Sequence, residues 1–193
     1  VRLHTAAGTP CKPAHHEEED EMTRSLNCTL SALALTLSAG TQAGTFMDAD
    51  WAAAACTAWN QSTELTTGLG GKSWAANDGG RGYKAIQLYR DKCGEATKVE
   101  LEITDKGGKS HCTYGGAVKH ADLNYDLDYL MHATDDDWTC MGEGKFGCGA
   151  MGAMMTGKLK FQGPKGEAMG VMGPFDSFLV MTGKVPGDKS TCP

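Results

Sequence analysis

The sequence predicts an α+β domain in which a small antiparallel or mixed sheet of four to five strands is covered by helices. Three observations predict it. Apolar residues recur every four positions near Trp51 and Trp59; the period drops to two between Val99 and Met131; and helical spacing returns in a methionine-rich carboxyl-terminal third.

The first 43 residues stand apart from this pattern. Met22-Thr23-Arg24 offers a start-like methionine and a positive charge, and the apolar stretch over 25–40 ends in the small-residue exit Thr41-Gln42-Ala43. That order is a secretory signal peptide over 22–43, so the expected mature chain is 44–193. Residues 1–21, with Cys11, His15, His16 and the acidic run 17–21, hold few core-forming residues and read as an upstream segment from a gene start placed too early. The expected location is periplasmic or secreted.

Within 44–193 the elements follow in order. Residues 47–66 read as a helix capped by Asp48, with the alanines 52–55 favouring it and Met47, Trp51, Ala55 and Trp59 on one face. A glycine-rich loop leads to an expected second helix over 83–93, stopped by Gly94. Val99, Leu101 and Ile103 alternate with Glu100 and Glu102, Asp105-Lys106-Gly107-Gly108 is turn chemistry, and 109–114 returns as a strand. Leu123, Tyr125, Leu127, Tyr129 and Met131 predict a third strand of an antiparallel meander. Thr134 caps a short helix whose first turn is Asp135, Asp136 and Asp137. A Gly/Met-rich helix over 146–156, a strand around Leu159 and Phe161, and a helical region over 167–182 bent or divided at Pro174 complete the chain.

Charge and motifs narrow the function. A net charge of −6 with no basic block excludes nucleic acid as a natural partner. No nucleophile motif accompanies His111, His120 or His132, and no phosphate loop is present, so no catalytic residue is assigned and a non-enzyme is expected. The three adjacent aspartates lack the glycine and distant glutamate of a calcium loop, and the methionines lack the histidines of a copper site, so neither a metal nor a cofactor is expected. Cys56, Cys93, Cys112, Cys140, Cys148 and Cys192 form an even set, which in an exported domain predicts disulfides. Sequence does not select the pairing, though Cys56 with Cys93 would join the first two expected helices.

The stretch over 99–185 resembles the sterol carrier protein type 2 family. Asp135-Asp136-Asp137-Trp138 is similar to the family's acidic helix start, Gly144-Lys145 to the Gly-Lys that ends that helix, and Gly157-Lys158-Leu159-Lys160-Phe161-Gln162-Gly163 to its Gly-Lys-Leu-Lys strand. Ala168-Met169 falls where the next helix begins. The glycine-rich stretch between Gly144 and Gly157 is longer than the family pattern, and the cysteines are not a family feature. The resemblance implies a sterol-carrier-like fold with an apolar cavity, in an exported bacterial member.

Methionine is flexible and polarisable, which suits walls that adapt to an apolar guest. The expected lipid-binding residues are Trp138, Met141, Phe146, Met151, Met154 and Met155, joined by Phe161, Met169, Met172, Phe175, Phe178 and Leu179. The expected ligand is a hydrophobic small molecule, namely a sterol, a hopanoid or a fatty acyl chain. A membrane or a periplasmic protein would supply or accept it. A non-catalytic accessory subunit docking on a periplasmic partner is the alternative. Amino-terminal sequencing of the exported protein is expected to start at Gly44; a product containing Cys11 contradicts the processing scheme.

Overall fold

The computed structural model describes residues 44–193; the proposed upstream segment 1–21 and signal peptide 22–43 lie outside the described residues. The chain forms α1 (Ala49–Gln61), a π-helical turn Glu64–Gly68, β1 (Lys84–Arg90), a 3-10 turn Glu95–Thr97, β2 (Val99–Asp105), β3 (Ser110–Ala117) and β4 (Tyr129–Ala133). It continues with α2 (Asp135–Gly142), α3 (Ala150–Thr156), β5 (Lys160–Gln162), α4 (Lys165–Gly170) and α5 (Met172–Lys184). The sheet order is β3-β2-β1-β4-β5. β1 pairs with β4 in parallel, and the other three pairings are antiparallel. The α+β architecture with a mixed, helix-covered sheet is therefore the one expected from sequence. Among the described residues no helix is long and apolar enough to cross a membrane.

Register assigns the faces. Ile86 lies opposite Leu101 and Tyr129, and Leu88 opposite Val99 and Met131, so these apolar side chains share the face that packs against the helices. Phe161 joins them opposite Met131. Helix α1 sits directly on β3 because Gly115 has no side chain: a Cβ there would lie 2.1 Å from the Ala52 carbonyl oxygen. The indole of Trp59 reaches across and donates from Nε1 to the Ser110 carbonyl at 2.9 Å.

Three expectations about elements are corrected. The segment over 83–93 is strand β1, not a helix. It is buried along nearly its whole length, including Lys84, Gln87 and Arg90, so the alternation that marks a half-exposed strand is absent. The alternating run over 122–131 yields only β4; its first half is a turn in which the Asn124 carbonyl accepts from the amides of Leu127 and Asp128. Consequently β4 does not extend the β2–β3 hairpin but lies on the other side of β1. The carboxyl-terminal helical region divides at Val171 rather than at Pro174, which sits in the first turn of α5 where its missing N–H costs nothing.

All six cysteines of 44–193 are paired: Cys56 with Cys112, Cys93 with Cys192, and Cys140 with Cys148. The Cys56–Cys93 pairing is thus replaced. With α1 lying on β3, Cys56 meets Cys112 at a Cα separation of 5.3 Å, whereas Cys93 follows β1 and meets the carboxyl-terminal tail.

Arg90 ends β1 with a fully buried side chain. Its Nε and Nη2 donate to the two oxygens of Asp135 at 2.6 and 2.8 Å, and its Nη1 donates to the Thr191 carbonyl at 2.7 Å. Hydrogen bonds from Arg90, aided by Lys92, hold the Asp135 carboxyl down at about 2. A depressed folded-state value contributes stability that is complete above the unfolded value of about 3.9 and disappears as pH falls through about 2. Denaturant titrations are expected to show about 2 kcal/mol lost across that window, with the slope reduced in Asp135→Asn. An unchanged slope in the variant contradicts the assignment.

Candidate functional site

Between the helix-facing side of the sheet and the carboxyl-terminal helices lies an apolar cavity of about 40 Å³. Ile86, Tyr129, Met131 and Phe161 form its floor; Trp59, Leu65, Leu69 and Trp74 form one wall; Ala168, Val171, Pro174, Phe175 and Phe178 form the other. Six of these side chains close a circuit of aromatic contacts. Ring centroids are 6.3 Å apart for Trp59–Trp74, 5.6 Å for Trp74–Tyr129 and 5.6 Å for Tyr129–Phe161. The circuit continues at 5.8 Å for Phe161–Phe175, 6.5 Å for Phe175–Phe178 and 5.8 Å for Phe178–Trp59. Offset and edge-on contacts of this kind add to simple area burial and hold each ring in place.

One side of the circuit is polar behind its rings. Trp74 Nε1 donates to the Tyr129 hydroxyl at 3.0 Å, and that hydroxyl donates to Glu167. Lys84, fully buried, donates to Glu167 Oε2 at 2.6 Å and to the Asn77 carbonyl at 3.1 Å. Its ammonium also lies 4.8 Å from the Trp74 ring centroid and 5.4 Å from that of Tyr129. Burial pushes the Lys84 ammonium below the usual lysine range, opposed by Glu167. Burial, with the hydrogen bond to Glu167, pushes the Tyr129 phenol well above its ordinary value.

The structure brings Phe161, Phe175 and Phe178 to the cavity. Trp138, Met141 and Leu179 are buried in the core away from its lining, where Trp138 Nε1 donates to the Tyr89 carbonyl at 3.2 Å. Met154 and Met172 are partly buried against that core. Phe146, Met151, Met155 and Met169 are exposed and do not reach the cavity. The reason is local: Ala150 and Ala153 take the inward positions of α3 and Ala168 that of α4, which turns the neighbouring methionines outward. Phe146 sits in the loop closed by the Cys140–Cys148 bridge. Sequence reading missed three of the six rings, Trp59, Trp74 and Tyr129, as lining residues. Trp74 had a signal, a tryptophan within a glycine-rich loop, where a large apolar side chain needs a place to be buried.

Among the described residues, Glu100, Glu102 and His120 bring three possible metal-ligand atoms within 4.8 Å of one another. His120 Nδ1 lies 2.7 Å from Glu100 Oε1, and Lys119 Nζ lies 3.3 Å from Glu102 Oε2, so both carboxylates already have partners within the chain. The three aspartates of α2 are drawn apart, Asp135 to Arg90 and Asp137 to Lys158 and Thr134.

No family model matches the sequence, and no curated protein matches it. Among solved structures, the chain is similar to the crystal structure of sterol carrier protein 2, at 19% identity and a TM-score of 0.45 over 72% of this chain and 98% of that one. It is similar to a conserved hypothetical protein from Thermus thermophilus, described as possibly a sterol carrier protein, at 21% identity and a TM-score of 0.43 over 78% and 99%. A third is sterol carrier protein domain 2 of Helicoverpa armigera, at 20% identity and a TM-score of 0.39 over 72% and 94%.

Tyr129→Phe deletes the hydroxyl that joins Trp74 to Glu167 and leaves a buried indole N–H without an acceptor. Chemical denaturation is expected to show a loss of about 1–3 kcal/mol. A loss indistinguishable from zero would show that the hydroxyl does not organise this wall.

Proposed function

We propose that the domain is a carrier for an apolar small molecule, held between the sheet and the helices within the circuit of Trp59, Trp74, Tyr129, Phe161, Phe175 and Phe178. That circuit is the observation that carries the reading. Rings whose polar atoms are bonded outward, as in Trp59 to Ser110 and Tyr129 to Glu167, present faces and edges to whatever occupies the centre. A sterol, a hopanoid or a fatty acyl chain fits such a lining, and each methylene moved out of water contributes about 0.8 kcal/mol. The reading is of a binding protein with no catalytic step and no cofactor, working in the periplasm or outside the cell; the disulfides suit an oxidising compartment.

A cavity of about 40 Å³ is closed to such a molecule, since ligand pockets commonly reach roughly 300 Å³ or more. Opening therefore belongs to the mechanism. Helix α4 is the wall suited to move: it has six residues, lies between Pro164 and Val171, and contributes Ala168 to the lining, with Val171 at its carboxyl end. Swinging it outward exposes Phe161 and Phe175 to an entering chain and leaves the sheet intact.

The exposed Phe146, Met151, Met155 and Met169 favour a second reading, an accessory subunit that docks through them on a periplasmic partner. Quenching separates the two. Trp59 and Trp74 line the cavity, so a brominated fatty acid is expected to quench tryptophan emission saturably. Phe175→Arg should abolish this by placing a charge in the lining, while Met155→Arg, on the solvent side, leaves it unchanged. Absence of saturable quenching in the wild-type protein contradicts the carrier. Loss of a stable complex with a co-purified protein in Met155→Arg supports the subunit.

A further inference from the structure

Resting on the carrier reading, we infer that the ligand bears a carboxylate and that Glu167 fills the carboxylate's position while the cavity is closed. The position is a complete receptor for one acid group. Three donors of different kinds converge on the Glu167 oxygens: the Lys84 ammonium at 2.6 Å, the Asn77 side-chain amide at 2.8 Å and the Tyr129 hydroxyl. Two of the residues around this point, Tyr129 and Trp74, are also cavity lining, so the receptor adjoins the apolar space. An amphipathic acid placed along that line puts its chain among the rings and its head on Lys84.

The carboxylate present there belongs to the one lining element suited to move. Glu167 lies on α4 beside Ala168, and its side chain is 17% exposed, whereas that of Lys84 is 0% exposed. When α4 swings outward, Glu167 leaves with it and rehydrates. Lys84 cannot follow, because it projects from the core face of the central strand β1. An unpaired ammonium there is strongly unfavourable. Asp128, the other acid of this region, is committed to Arg81 through two hydrogen bonds at 2.7 and 2.8 Å. An incoming carboxylate restores the lost pairing donor for donor. A neutral alcohol or sterol does not, and opening for such a ligand leaves the charge uncompensated. Glu167 is in this sense an internal surrogate for the ligand's head, and its exchange couples opening of α4 to recognition of an acid.

Isothermal titration of a long-chain fatty acid and of the alcohol of equal chain length, against the full protein and two variants, tests this. The wild-type protein is expected to bind the acid about tenfold more tightly than the alcohol. Lys84→Met should bring the acid down to the level of the alcohol. Glu167→Gln, at the exposed end of the pair, should strengthen acid binding several-fold by removing the competing carboxylate, and it carries the test if Lys84→Met does not fold. Equal binding of acid and alcohol by the wild-type protein overturns the inference and leaves the carrier standing. Binding of neither overturns both.

Discussion

A cation is buried at each end of β1, and each must be answered by an anion brought from elsewhere in the chain. Lys84 begins the strand and Arg90 ends it, both on the face that packs against the helices. Lys84 is met by Glu167 of α4, and Arg90 by Asp135 at the start of α2 together with carbonyls of the carboxyl-terminal tail. These pairs fix where the later helices sit on a sheet whose middle is apolar. They also differ in permanence. The Arg90 end is closed by a two-pronged guanidinium–carboxylate contact and by the adjacent Cys93–Cys192 bridge. The Lys84 end is closed by one carboxylate on a six-residue helix.

The Arg90 end gathers α2, the tail and a disulfide, while the Lys84 end borders the aromatic circuit. Helix α1 is held on β3 by the Gly115 contact and the Cys56–Cys112 bridge, so the wall containing Trp59 stays in place. The α2–α5 contact is similarly tight, since a Cβ at Gly183 would lie 2.5 Å from Gly142 Cα. Between these parts lies α4, a six-residue helix that contributes Ala168 to the lining.

Much of the fold is legible in the sequence because its signals are local. The Thr134 cap accepts from the Asp137 amide and starts α2 as its residues imply; the β2–β3 hairpin forms around its Asp-Lys-Gly-Gly turn; and α1 carries the four-residue spacing of Trp51, Ala55 and Trp59. What is not legible depends on distant partners. Lys84, Gln87 and Arg90 disguise β1 because each is buried with the help of a carboxylate on another element: Glu167, Glu100 and Asp135. The run over 122–131 imitates a strand, but Asn124 and Asp128 spend their side chains closing a turn. An even cysteine count is readable, yet the pairing requires knowing that α1 lies on β3. For the cavity, composition alone points to the phenylalanines. The methionine stripe points the wrong way because the alanines, and not the larger residues, occupy the crowded inner face of α3.

Whether the aromatic circuit encloses an apolar molecule is decided most directly by native mass spectrometry of the protein before and after organic extraction. The expected result is a one-to-one adduct, released by organic solvent as an amphipathic acid and regained when fatty acid is added back. A protein that retains only its own mass, both as purified and after incubation with fatty acid, fatty alcohol or sterol, contradicts the carrier.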